Sequence, residues 1–410
     1  MATWPRIVIV GASLAGLRAA EQLRAAGHNG RIAVLGAEPH LPYNRPPLSK
    51  DVLSGPEPES PAELADQLAF RRRASIADVE FRLGDAVVTA DLEAMTVTTD
   101  AGTTISYDGL VIATGLRPRR LCIPGPTAGR HVLRTVEDCH SLRAELLSHT
   151  PGRIVVVGAG FIGCEVAATA RTLGHEVRVV DPAGPPMVRV IGAAAAAAIQ
   201  RHHERAGIAF VPSVGVSAFA GHERVTGAVL TTGTVAAADV VVEAVGSVPN
   251  TEWLQGNGLD LSDGVLTDNR LSVVGARRVV AVGDIARFPN PLFDEVPRRV
   301  EHWSMPADTA KQAARTLVEE LYGDDRGHGP FAPLPSFWSD QLDLRLQSAG
   351  SPALADEVSV VEGDLDDLPG GVLVSYTRAG RPVGMLAINL SPARQRELRS
   401  QLSTPVVAAA

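Results

Sequence analysis

Two glycine-rich turns carry the residues best suited to chemistry. Gly11-Ala12-Ser13-Leu14-Ala15-Gly16 follows the apolar run Ile7-Val8-Ile9-Val10, and Gly158-Ala159-Gly160-Phe161-Ile162-Gly163 follows Ile154-Val155-Val156-Val157. The first glycine of each (Gly11, Gly158) permits a tight bend, and the last (Gly16, Gly163) lets a helix pack against its strand. The amides opening that helix, with the positive end of its dipole, then face a pyrophosphate. Gly160 leaves the backbone free to approach phosphate; Ser13 takes the matching place in the first turn and makes that approach less free. Either turn alone is also what an ordinary strand-to-helix bend looks like. Two of them, each framed by strand, helix and strand, imply two dinucleotides. The pair with complementary chemistry is a tightly held flavin and a diffusing nicotinamide, between which hydride can pass.

Acidic residues assign the two nucleotides. Asp181 follows the run Glu176-Val177-Arg178-Val179-Val180, 23 residues after Gly158. A carboxylate there accepts hydrogen bonds from ribose hydroxyls and repels a 2′-phosphate, so it selects NADH over NADPH. The plainer reading is a solvated aspartate at a strand end. Asp284, after Val279-Val280-Ala281-Val282-Gly283, is either an acceptor for the ribityl hydroxyls of a flavin or a strand-end aspartate of no special role. Cys122, Cys139 and Cys164 include no close pair, which leaves a dithiol mechanism nothing to work with. They are also too scattered for a disulfide frame or a metal site, so no metal and a reducing, cytoplasmic compartment are expected.

The elements that must position these residues can be read from periodicity. Leu14, Leu17 and Leu23 recur at helical spacing, Gly27 stops that helix, and Ile32-Ala33-Val34-Leu35 forms the next strand, ending near Glu38. The second turn repeats the arrangement, with Glu165 on its helix and Gly174 at the end. Leu110-Val111-Ile112-Ala113-Thr114-Gly115 reads as a buried strand where the chain leaves one domain for another, and Gly192 to Ala206 as a helix. Near the C-terminus, Val358–Val361, Val372–Tyr376 and Val383–Ala387 read as strands, and Ser391 to Leu402 as a helix. A chain of 410 residues exceeds one ordinary core, and 45% hydrophobic with 20% charged residues describes a globular protein. No apolar run reaches the roughly 18–20 residues of a membrane helix, and no basic flank precedes the first apolar stretch as in a signal peptide. A net charge of −8 argues against general nucleic-acid binding.

The order of Gly11–Gly16, Ala113-Thr114-Gly115, Gly158–Gly163 with Glu165, and Gly283-Asp284 resembles that of FAD- and NAD(P)-dependent pyridine nucleotide reductases. More narrowly, Leu41-Pro42-Tyr43-Asn44-Arg45-Pro46-Pro47-Leu48-Ser49-Lys50, Glu301-His302-Trp303 and Phe337-Trp338-Ser339-Asp340-Gln341 are similar to motifs of oxygenase-coupled NADH-dependent ferredoxin reductases, the putidaredoxin reductase-like and biphenyl dioxygenase ferredoxin reductase-like proteins. The resemblance implies an α/β fold with two Rossmann-like domains, the NAD domain (116–245) inserted in a discontinuous FAD domain (1–115 and 246–325), and a small α+β C-terminal domain (326–410). It places Lys50 beside the flavin ring, Glu165 at the nicotinamide pocket, and Trp338 near the flavin edge facing the redox partner. At FAD it implies Gly11, Ser13, Leu14, Ala15, Gly16, Ala37, Lys50, Val88, Ala113, Thr114, Arg134, Asp284 and Trp303. At NAD it implies Gly158, Gly160, Phe161, Ile162, Gly163, Glu165, Asp181, Val245 and Gly246. The implied activity is transfer of hydride from NADH to FAD, then of single electrons to an iron–sulfur ferredoxin, of the two-iron type, that feeds a cytochrome P450 or dioxygenase. A rubredoxin reductase, an NADH diaphorase or oxidase, and an NADH-responsive binding switch like apoptosis-inducing factor are the alternatives. Arg71, Arg72, Arg73, Lys311, Arg315 and Arg345 are candidates for meeting an acidic partner. Three departures stand out: Ser13, the stretch Ser304-Met305-Pro306 with no amide on Pro306, and Glu243-Ala244-Val245-Gly246 in place of a more glycine-rich segment.

Overall fold

Ile7–Val10 is β-branched throughout and fully buried, as a central strand of a parallel sheet must be. In the computed structural model, which describes residues 4–55, 60–323 and 329–402, it lies at the middle of a five-stranded sheet. The order is Val279–Ala281, Gly109–Ile112, Ile7–Val10, Ile32–Gly36 and Glu80–Leu83, every pair parallel. A second parallel sheet runs Ile208–Pro212, Glu176–Asp181, Arg153–Val157, Val240–Glu243 and Arg130–His131. All its strands fall between Ile112 and Val279 in the chain, so the second sheet is inserted within the first. In both sheets the chain runs from the central strand to a neighbour on one side and returns later to a neighbour on the other side. That is a topological switch point, and each glycine turn sits at the carboxyl end of its central strand, where ligands of such sheets bind.

The helices follow the expected periodicity. Leu14–Ala25 and Phe161–Thr172 open at the two glycine turns. Ala193–Arg205 forms where the alanine run predicts it, burying Ala195, Ala196, Ala198 and Ile199. Met305–Tyr322 packs against Leu14–Ala25 and buries the small residues Ala310, Ala313 and Ala314. Among the described residues no helix is long and apolar enough to cross a membrane.

The C-terminal region is a five-stranded antiparallel sheet, ordered Ser336–Gln341, Leu344–Gly350, Arg381–Ile388, Val372–Arg378 and Glu357–Glu362, with helix Pro392–Leu402 packed on it. The three strands read from the sequence are present. The reading missed the first hairpin, in which Phe337–Gln341 is itself an edge strand paired with Leu344–Gly350. Ser339 and Gln341 are fully buried there, so polar residues occupy the inward face and the usual apolar alternation is masked. The expected boundary at 325/326 lies outside the described residues.

Candidate active site

Both glycine turns are built so tightly that side chains are excluded. Gly11 has φ +116°, and a Cβ there would meet the Ala113 carbonyl oxygen at 2.1 Å; one on Gly16 would lie 1.9 Å from the Gly11 oxygen. The second turn repeats this, with Gly158 (φ +104°) against the Ala244 oxygen at 2.3 Å and Gly163 against the Gly158 oxygen at 2.0 Å. Gly160 differs, since a Cβ on it would meet nothing within 4 Å. That open space is where a phosphate can approach the helix start, and no side chain caps either helix. Ser13 sits at the cap position of Leu14–Ala25 without capping it; its hydroxyl accepts a long bond from Arg45 Nε at 3.4 Å.

A single cavity of about 1240 Å³ reaches both turns. It exceeds the roughly 300–1,000 Å³ of a cleft for one small ligand. Every residue expected at FAD lines it except Gly16, which lies beneath Gly11. Of those expected at NAD, Gly160, Phe161, Ile162, Glu165 and Gly246 line it, whereas Gly158, Gly163, Asp181 and Val245 do not. Val245 instead packs against the core of the second sheet. Asp181 Oδ2 accepts the Ala159 amide and Oδ1 the Ala183 amide, each at 2.6 Å, so this carboxylate pins the second glycine turn.

The donors and acceptors around the cavity suit FAD. Glu38, just past the Ile32–Gly36 strand, accepts the Tyr43 hydroxyl at 2.6 Å and Arg45 Nη2 at 2.5 Å. Glu38 stands at a strand end as Asp181 does and lines the cavity, though it is not among the expected site residues. Asp284 faces Arg134 at 3.4 Å; burial pushes its carboxyl up, with the arginine opposing. The start of Met305–Tyr322 offers few free donors. Met305 N is bonded to the His302 oxygen and Pro306 has no amide, as its sequence departure implies.

Between the two turns lies a bonded carboxylate. Lys50 follows the short helical turn Pro46–Ser49, whose adjacent prolines restrict the backbone. Its Nζ donates to Glu165 Oε2 at 2.6 Å, the Ser49 hydroxyl donates to the same oxygen at 2.5 Å, and the Ser339 hydroxyl donates to Oε1 at 2.6 Å. The cavity also has an aromatic edge. Trp303, 44% exposed, meets Trp338 edge-on with ring centroids 5.3 Å apart.

The pyridine nucleotide-disulphide oxidoreductase model matches residues 5–314 and the reductase C-terminal model residues 336–404. The chain belongs to the pyridine nucleotide-disulphide oxidoreductase family. It is 39% identical over 394 residues to the anthranilate 1,2-dioxygenase system ferredoxin–NAD(+) reductase component of Burkholderia cepacia, covering 93% of this chain and 90% of that one. It is 31% identical over 393 residues to putidaredoxin reductase of Pseudomonas putida, covering 92% and 89%. The ferredoxin reductase for the CYP199A2 system from Rhodopseudomonas palustris superposes with a TM-score of 0.85 at 34% identity, covering 96% of this chain and 93% of that one. The reductase of the covalent putidaredoxin reductase–putidaredoxin complex superposes with a TM-score of 0.88 at 29% identity, covering 98% and 94%. This family member is an FAD-dependent oxidoreductase using NAD(H).

The reductase has no disulfide, despite the family's name. Its three cysteines are free, and only Cys122 is exposed. Burial pushes the Cys139 thiol up to about 12 and the Cys164 thiol further still, so neither offers a thiolate near neutrality.

Two imidazoles give the reductase a pH-dependent stability. Burial holds His203 and His302 down to about 4. The unfolded chain, with histidines near 6.5, binds more protons between those values. The stability is therefore whole above about pH 6.5 and is lost as pH falls toward 4, by roughly 3 kcal/mol per histidine. The thermal midpoint should fall over that range, and less so in His203→Phe; equal falls in the two proteins would exclude His203.

Proposed function

We propose that this reductase takes hydride from NADH onto FAD and passes single electrons to a two-iron ferredoxin, which feeds a cytochrome P450 or a dioxygenase. One observation carries the reading: a single cavity joins two dinucleotide cradles, with the Lys50–Glu165 pair between them and the Trp303–Trp338 pair lining it. The FAD domain comprises residues 1–115 and 246–325, the NAD domain 116–245, and the C-terminal domain 326–410. Bound FAD supplies a two-electron acceptor able to release its electrons one at a time.

The protein's own groups place and shield the reactants. Gly11 and Ala15 in the first turn would hold the FAD pyrophosphate, Glu38 the adenosine ribose, and Asp284 with Arg134 the ribityl chain. Gly160 to Ile162 hold the NADH pyrophosphate and Asp181 its ribose. Lys50 would lie at the flavin ring and Glu165 at the nicotinamide, where they would align the two reactants, and no acid–base triad is called for. Trp338 faces the ferredoxin. Arg73 and Arg345 are each 62% exposed and only loosely paired, at 3.5 Å to Glu21 and 3.9 Å to Asp340, and with Lys311 and Arg315 they offer positive charge to an acidic partner. The reading includes a cytoplasmic location for this electron carrier.

Anaerobic titration with NADH, followed by mixing with a panel of ferredoxins and rubredoxins, tests the reading. One equivalent of NADH should bleach the flavin, and a two-iron ferredoxin should restore its colour within the time of turnover. Faster reoxidation by oxygen, a quinone or rubredoxin would replace ferredoxin as the acceptor. A long-lived complex with NADH that no carrier reoxidises would favour a binding switch.

A further inference from the structure

Glu165 accepts three bonds from two parts of the chain, and the bond to Oε1 comes from the C-terminal sheet. Ser49 and Lys50 both donate to Oε2, whereas Ser339 donates to Oε1 at 2.6 Å. Ser339 and Gln341 point to the same side of the edge strand Ser336–Gln341, and both are fully buried. Gln341 Nε2 donates to the Ser339 oxygen at 2.9 Å. A hydroxyl has one proton to give, and with its oxygen already accepting from Gln341 that proton is directed at Glu165. The amide is itself steadied by Met187 Sδ at 3.5 Å, a residue of the second nucleotide unit.

We infer that Ser339, oriented by Gln341, is a positioning residue for the nicotinamide step. Lys50 and Ser49 draw the carboxylate from the Oε2 side; Ser339 holds the opposite oxygen, so the carboxylate plane is set by a bond on each side and cannot turn wholly onto Lys50. The ligand that reads this setting is the carboxamide of a reduced nicotinamide, whose N–H groups need an acceptor at a defined angle. Because the same strand carries Trp338 on its other face, this hydroxyl links the partner-facing sheet to the carboxylate of the nicotinamide pocket. The inference rests on the assignment of Glu165 to nicotinamide made under Proposed function.

The test uses the FAD-loaded full chain with Ser339→Ala and Ser339→Cys, the second keeping nearly the same volume without a strong donor. Two quantities are measured: flavin reduction by NADH under anaerobic conditions, and calorimetric binding of ADP-ribose, which has the adenosine half of the coenzyme and no nicotinamide. Loss of a hydrogen bond to a charged group should lower the second-order rate constant for reduction on the order of tenfold or more. ADP-ribose affinity should be unchanged, and Ser339→Thr, which keeps the hydroxyl, should recover most of the reduction rate. Ser339→Ala and Ser339→Cys proteins reduced as fast as wild type would overturn the inference. So would a parallel loss of ADP-ribose binding, since a merely structural role would disturb both halves. If wild-type protein is itself not reduced by NADH, the functional reading fails instead.

Discussion

Gly11→Ala protein should purify nearly colourless, with a melting temperature well below that of the wild type. The residue has φ +116°, a region in which side chains are strained. The added Cβ would also lie 2.1 Å from the Ala113 oxygen, 2.4 Å from its carbonyl carbon and 2.9 Å from Thr114 N. Those atoms belong to the backbone at the end of a buried central strand, so they cannot swing aside as a flexible side chain would. Conformational strain of about 1–2 kcal/mol adds to overpacking of about 1–3 kcal/mol. If the sum of about 2–5 kcal/mol is expressed in cofactor affinity, the loss is roughly one and a half to three and a half orders of magnitude. Gly27→Ala is the control, because Gly27 has φ +98° but an added Cβ meets nothing within 4 Å. It should carry the strain alone and keep its FAD. Measuring the ratio of flavin to protein by visible absorbance, with melting curves, decides the matter. A stoichiometrically yellow Gly11→Ala protein with an unchanged midpoint would remove the first turn as the FAD cradle.

The second large effect is expected at Asp181. Replacement by Ala should weaken NADH about ten- to a hundredfold, the worth of a hydrogen bond to a charged group. The side chain has two tasks, however, because its oxygens already accept the Ala159 and Ala183 amides. A carboxylate has about four acceptor positions, so two remain for ribose hydroxyls. Loosening the turn would weaken NADH and NADPH alike, whereas removing a ribose acceptor and its charge weakens NADH selectively and so lowers the ratio of the two affinities. The informative quantity is the preference for NADH over NADPH, which should fall tenfold or more. An unchanged ratio with equal losses would leave Asp181 a turn-holding residue and no more.

These two positions show what could be read before folding and what could not. Gly11 and Gly158 announce themselves because a positive φ and a close backbone approach are demands that one residue type meets, and they recur at fixed local spacing. Glu38 was legible by the same logic and was passed over. Val245 was expected at the nicotinamide coenzyme, yet it packs into the core of the second sheet while Ala244 and Gly246 line the cavity. Adjacent residues at a strand end face opposite ways, and which of them meets the cavity depends on how the sheets are placed. The C-terminal hairpin escaped notice because its inward face carries Ser339 and Gln341, buried for a polar contact rather than for apolar packing.

By itself, the amino-acid order determined the two strand–turn–helix–strand units, the acids at their strand ends and the absence of a dithiol. Each of these is a matter of residue type at short range, where steric limits and hydrogen-bond valence leave few alternatives. Only the tertiary structure decided that Glu165 is held by Ser49 and Ser339, which lie 116 and 174 residues away in the chain. Contacts at such separations leave no period in the sequence, because they depend on how three separately patterned sheets pack against one another.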